Sequence, residues 1–170
     1  MTRLGLGTYS LFPAIIFWGI LIGAIVYSHI AFFPAYLSDL PNSAVVVTGK
    51  YGINETPFWI TIHPLLILSL IIALVLNWKF KWRRKLIALS FGIYVSVLIV
   101  SALFFVPELM AFAKSSESSL PASEWFARGH RWQNLSMIRG AVCFMGFIPL
   151  LIALSKSVNE TNEYDTAKVV

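Results

Sequence analysis

The sequence predicts an all-α fold, a bundle of four transmembrane helices with both the N- and C-termini cytoplasmic. Three observations carry this. Only 12% of the 170 residues are charged and 58% are hydrophobic, whereas a soluble domain carries about 25% charged residues. A membrane helix needs roughly 20 mostly apolar residues, and four runs reach that length, at residues 11–33, 58–78, 86–106 and 135–154. The runs are also continuously apolar. Strands of a membrane barrel would alternate polar and apolar residues, and a segment in lipid must satisfy its backbone groups internally. Residues 1–155 therefore read as one membrane domain and 156–170 as a polar cytoplasmic tail.

The first run is too long for the apolar core of a signal peptide. Its leader carries only Arg3, and no small-residue cleavage site follows, so it reads as a retained span. It contains "GILIG", with Gly19 and Gly23 at a spacing that lets membrane helices approach closely. The second run contains "TIHPLL". Pro64 lacks an N–H and crowds the carbonyl four residues back, at Ile60, which would leave a free carbonyl beside the His63 imidazole.

Next comes "NWKFKWRRKL", with Lys79, Lys81, Arg83, Arg84 and Lys85. Short basic loops stay in the cytoplasm. That places this loop and both termini inside, with eight basic residues there and five outside. The charge is thus a topology signal facing lipid headgroups, not a nucleic-acid surface. In the third run, Ser90, Tyr94, Ser101 and Glu108 are spaced as one helical stripe. The fourth is entered through "ARGHRWQNLSMIRG". His130, Asn134, Met137 and Ala141 would share one helical face, and Arg128, Trp132, Leu135 and Arg139 nearly the opposite one, if the helix is formed by residue 128. Either the helix starts later, near Trp132, or only one set faces inward. Arg139 lies a full turn into the apolar run and should pair, with Glu108 the nearest carboxylate of matching depth. Arg128 and Arg131, nearer water, should snorkel or meet headgroups. Cys143 is the single cysteine, and no internal repeat is evident.

His29, His63, Glu108 and His130 all fall near the outer ends of their runs. Ionisable residues in a membrane usually face the bundle interior or a cavity, so four at one depth predict a shared polar layer. His29, His63, Glu108 and His130 would suit a transition metal such as iron, copper or zinc. His29 and His63 could alternatively hold haem axially. Without a cofactor, a histidine could act as base while Arg139 steadies an enolate or phenolate. His29, His63, Glu108, His130 and Arg139 are the catalytic candidates, and Asn134, Trp132, Tyr94 and Ser101 the substrate-lining ones. No GxSxG, HExxH or glycine-rich phosphate loop occurs.

The stretches "GAIVYSHIAFFPAYLSDLP", "FFVPELMAF" and "RWQNLSMIR", with the basic loop, carry a resemblance over most of the chain. The protein resembles the anthrone-oxygenase-like family of small four-helix membrane proteins, most of unknown function. The resemblance implies oxygenation of an activated aromatic, anthrone to anthraquinone, with Glu108, Trp132 and Arg139 at characteristic positions. The family more often has Asn one residue further from the span-three proline, whereas here Glu108 follows Pro107 directly. The expected function is a multi-pass oxidoreductase of the plasma (inner) membrane. It would act on an aromatic or quinone-like substrate from the extracytoplasmic side. The alternative is a binding, transport or accessory protein whose polar layer holds a lipid headgroup, metal ion or haem. Membrane lipids and a hydrophobic small molecule are the expected partners, with an oligomer open. Conduction through a monomer is disfavoured, because the inner halves of the runs hold no charged residue.

Overall fold

The structure, a computed structural model, describes residues 3–155. The tail at 156–170 lies outside the described residues. Four helices are long and apolar enough to cross a membrane: α1 (Gly5–Tyr36), α2 (Thr56–Leu76), α3 (Lys81–Ala113) and α4 (Ala122–Ser155). No strand occurs among the described residues. The chain is thus a multi-pass membrane protein with a four-helix bundle.

Helix length divides the bundle into two layers. α2 has 21 residues, enough for one crossing, but α1, α3 and α4 have 32, 33 and 34. At 1.5 Å per residue α4 is roughly 50 Å long, against a hydrocarbon core of about 30 Å. The surplus lies at the end opposite the basic loop, here called the distal end. There Phe32, Phe33, Tyr36, Phe105, Phe112, Trp125 and Trp132 form an aromatic core of their own. A second core fills the rest of the bundle, with Leu11, Trp18, Leu66, Leu70, Ile87, Tyr94 and Cys143 buried in it. The outer surface remains apolar, with Ile30 75% and Leu103 78% exposed, as expected of helices that meet lipid.

α1 and α3 share a device that positions the site. Each contains one π-helical turn, Ser28–Phe32 and Ser101–Phe105, closed by i→i−5 bonds from Phe33 N–H to the Ser28 carbonyl and from Val106 N–H to the Ser101 carbonyl. A serine opens each turn, and a proline, Pro34 or Pro107, follows six residues after it. Proline donates no N–H and presses on the carbonyl four residues back, so a widened turn just before it accommodates both effects. "SHIAFFP" and "SALFFVP" thus form a short repeat that composition alone hides.

At the basic end the loop is not simply a solvated collar. α3 begins at Lys81, earlier than the apolar run, and Arg83 is only 2% exposed. Arg83 donates from Nη1 to Thr8 Oγ1 at 2.9 Å. Asn77 donates to the carbonyls of Gly7 and Ala73, both at 2.8 Å. A Cβ on Gly7 would come within 2.9 Å of Asn77 Oδ1, so glycine is what lets this end close. Gly19 and Gly23 behave differently: both face outward, and a Cβ at either would meet nothing within 4 Å. The close approach expected at "GILIG" is not made inside this chain. Gly146 makes it instead, where a Cβ would lie 2.7 Å from Ile93 Cγ2.

Candidate functional site

The inward face of α4 is decided by helix already formed at Ala122. Trp125, Gly129, Trp132, Ser136, Cys143 and Gly146 are buried in sequence along one seam, at the three- and four-residue spacing of a single helical face. Arg139 is half-buried on the same seam. His130 and Asn134 are exposed on the other side, with the His130 ring edge-on to Phe126 at 4.4 Å. Large aromatics alternating with small residues pack against neighbours, and the two polar side chains are left outside. His130 and Asn134 therefore do not join a site inside the bundle.

Arg139 does not pair with Glu108. Glu108 is taken by Arg128, which donates from Nη2 at 2.9 Å and from Nε at 3.3 Å. Because the helix is continuous, Arg128 shares the face of Arg139 but stands three turns, roughly 16 Å, nearer the distal end. Arg128 also lies over the Trp125 ring at 4.5 Å, so it is packed and paired, not snorkelling. Arg139 donates instead to two hydroxyls, Ser101 Oγ at 3.0 Å and Ser136 Oγ at 2.9 Å. Its guanidinium lies 4.2 Å from the centre of the Phe105 ring. No carboxylate lies within ion-pair distance of it among the described residues.

Beside Arg139 is a cleft of about 320 Å³ between α3 and α4, lined by Ser96, Val97, Val100, Phe104, Phe105, Leu135, Ile138 and Val142. Among the described residues Arg139 is its one charged lining residue. Val100 and Ile138 on the rim are 50% and 62% exposed, so the cleft opens sideways, toward lipid. The π turn of α3 supplies Phe104 and Phe105, and Ser101 at its start holds the arginine.

A second polar group lies deeper in the bundle. His63 Nδ1 and the Tyr94 hydroxyl share a hydrogen bond of 2.6 Å. Tyr94 is fully buried, with the Trp18 ring 5.3 Å away, and Trp59 stacks on His63 at 5.7 Å. Trp59 Nε1 donates to Glu55, which also accepts from Ser28, both at 3.3 Å. Glu55 and Ser136 were not among the sequence candidates. Glu55 was legible as the carboxylate four residues before Trp59, and Ser136 as the hydroxyl three residues before Arg139, both one helical turn away.

The expected metal ligands do not assemble. His29 Nδ1 donates to the Ile25 carbonyl at 2.8 Å, and its ring meets Phe33 edge-on. His63 is held by Tyr94, Glu108 by Arg128, and His130 faces outward. Among the described residues no three His, Cys, Asp or Glu side chains are placed to hold one metal ion. His29 and His63 each commit Nδ1, to the Ile25 carbonyl and the Tyr94 hydroxyl, and neither lines the cleft. Trp132, expected at the substrate, is 2% exposed and donates to the Phe105 carbonyl at 3.0 Å. It packs edge-on with Phe33 at 4.7 Å and is part of the distal core. Tyr94 likewise lies behind the cleft and not in its wall. Compared with family models, curated proteins and solved structures, the chain matches none.

Proposed function

We propose that the protein is a small membrane oxidoreductase, oxygenase-like. In this reading it takes a hydrophobic aromatic or quinone-like molecule from lipid into the α3–α4 cleft and holds that molecule's oxygen on Arg139. One observation carries the reading: among the described residues Arg139 is a cation without a carboxylate partner, in the wall of a largely apolar cleft. Removing a charge from water costs several kcal/mol unless it is compensated, and two neutral hydroxyls supply dipoles, not countercharge. A ligand oxyanion supplies the countercharge. Arg139 faces Ser101, midway along a wall that runs from Ser96 to Phe105, roughly 13 Å of helix. An oxygen held there has apolar wall on both sides, which suits a flat molecule with a central oxygen. A cleft of this size is at the small end of ligand sites, which span about 300–1,000 Å³.

The chemistry follows from the charge. A bound enol or phenol that loses its proton becomes an oxyanion, and Arg139 stabilises it. The released proton returns in the water that the oxygenation forms. For an anthrone-type substrate, dioxygen then converts the activated CH2 to C=O, and the second oxygen atom leaves as water. The resemblance motivates this reaction, and the basic loop supports a cytoplasmic basic end with the cleft in the outer half of a plasma membrane. A second reading is a binding or accessory protein. It is favoured by the absence of a titratable histidine from the cleft wall.

The test is oxygen uptake by the protein in lipid nanodiscs with an anthrone-type substrate. The expected result is turnover by the parent and a fall of about 10²-fold or more in Arg139→Gln, the loss typical of a removed oxyanion donor. Saturable binding that needs Arg139 but brings no oxygen uptake would select the binding reading. Neither binding nor uptake would overturn both.

A further inference from the structure

We infer that Ser136 is a positioning residue: together with Ser101 it clamps the Arg139 guanidinium toward the cleft, so that the site selects a ligand by its oxygen. This rests on the ligand reading of Arg139 given above. Ser136 is fully buried in α4, three residues before Arg139, and Ser101 opens the π turn of α3. The two hydroxyls therefore approach the guanidinium from two different helices. Nη2 donates to Ser136 and Nη1 to Ser101. The Ser101 proton is already committed to the Val97 carbonyl at 2.7 Å, so toward Arg139 the Ser101 oxygen can only accept. The Phe105 ring closes one face of the guanidinium at 4.2 Å. Two edge contacts and one face contact fix the plane of the group.

The clamp matters because an arginine on a membrane helix otherwise extends toward the headgroups and keeps its charge in water. Serines oppose that movement without neutralising the charge. A carboxylate in either place would hold the arginine equally well but satisfy it, as Glu108 satisfies Arg128. A guanidinium has five N–H groups. Two go to the serines, which leaves three, one on each terminal nitrogen and one on Nε. These are the donors a planar acceptor such as a carboxylate, phenolate or carbonyl can meet. Ser136 thus sets which N–H groups face the cleft, and touches no ligand itself.

The test compares two fluorescent probes that differ by one hydroxyl, pyrene and 1-hydroxypyrene, titrated into the protein in nanodiscs. The parent should favour 1-hydroxypyrene by at least about ten-fold, as a hydrogen bond to a charged group implies. Ser136→Ala should lose most of that preference while binding pyrene as the parent does, and Ser136→Thr should retain it. A purely structural serine would weaken both probes equally. If Ser136→Ala does not fold, Ser101→Ala probes the other arm of the clamp and should lose the preference in the same way. Full preference in a folded serine variant, with none in Arg139→Gln, would overturn the clamp and leave the ligand reading standing. No preference in the parent would instead overturn the ligand reading, and the clamp with it.

Discussion

Two arginines three turns apart on α4 show how context decides the role of a residue. Arg128 meets a carboxylate in two-point contact and an aromatic face, and its energy is spent on structure. Among the described residues Arg139 meets only hydroxyls and a ring, so its charge has no countercharge there and costs stability. The two should respond oppositely to neutral substitution. Glu108→Gln leaves Arg128 without its anion and should destabilise the folded protein by about 1–3 kcal/mol. Arg139→Met removes an uncompensated buried charge and should leave the melting temperature in detergent unchanged or raised. A melting temperature that falls as far in Arg139→Met as in Glu108→Gln would show that Arg139 is structural. Arg139 itself was legible in the sequence, because a cation inside an apolar run is costly and should find a partner. Its partners were not: the carboxylate rule points to Glu108, and only the continuous helix from Ala122 reveals that Arg128 reaches Glu108 first.

At the level of elements, the π turn of α3 does most to shape the cleft. It places Ser101 at the arginine and Phe104 and Phe105 in the wall, and Pro107 follows directly. The turn absorbs one extra residue, so removing one residue from it should restore ordinary helix and leave the phase beyond it unchanged, whereas a deletion from regular helix rotates everything beyond by about 100°. Ala102 is exposed, so its deletion costs no packing of its own. Deleting Ala102 should therefore keep Glu108 at Arg128. Cysteines introduced as Glu108→Cys and Arg128→Cys, in a Cys143→Ala background, should be joined by a short thiol crosslinker in the deletion as in the otherwise unaltered chain. Loss of the crosslink in the deletion would mean that the turn does not absorb the extra residue. Hydropathy located all four helices but stopped short at the distal ends of α3 and α4. The first turns of α4 carry Glu124, Arg128, His130 and Arg131, and such charges end an apolar run although the helix continues. The stripe Trp125, Trp132, Ser136, Arg139 runs through those charges, and it was the better guide to where α4 begins and faces.

For the whole molecule, the division into two layers implies how it sits in the bilayer. Three helices exceed a single crossing by about ten residues each, and the surplus carries the aromatic distal core with the Glu108–Arg128 pair. The opposite end carries the basic loop, drawn against α1 by Arg83 and Asn77. Aromatic residues gather at membrane interfaces, while short loops rich in Lys and Arg remain cytoplasmic. If the basic end is cytoplasmic, the distal core lies in the outer headgroup layer or just beyond it, with the cleft below it in the outer half of the hydrocarbon. Arg83 being turned inward removes one cation from the exposed loop but leaves Lys79 and Lys81 exposed and Arg84 only half-buried. The orientation signal therefore survives the packing. Two single cysteines read it directly in a Cys143→Ala background: Tyr51→Cys on the connection between α1 and α2, where Tyr51 is 88% exposed, and Lys79→Cys in the basic loop. A charged, impermeant maleimide added to intact cells should label the cysteine at 51 and not the one at 79, and inside-out vesicles should give the reverse. Labelling at 79 from outside would invert the bundle. The Arg139 cleft would then open to the inner leaflet, and its ligand would have to be sought among cytoplasmic-side amphiphiles.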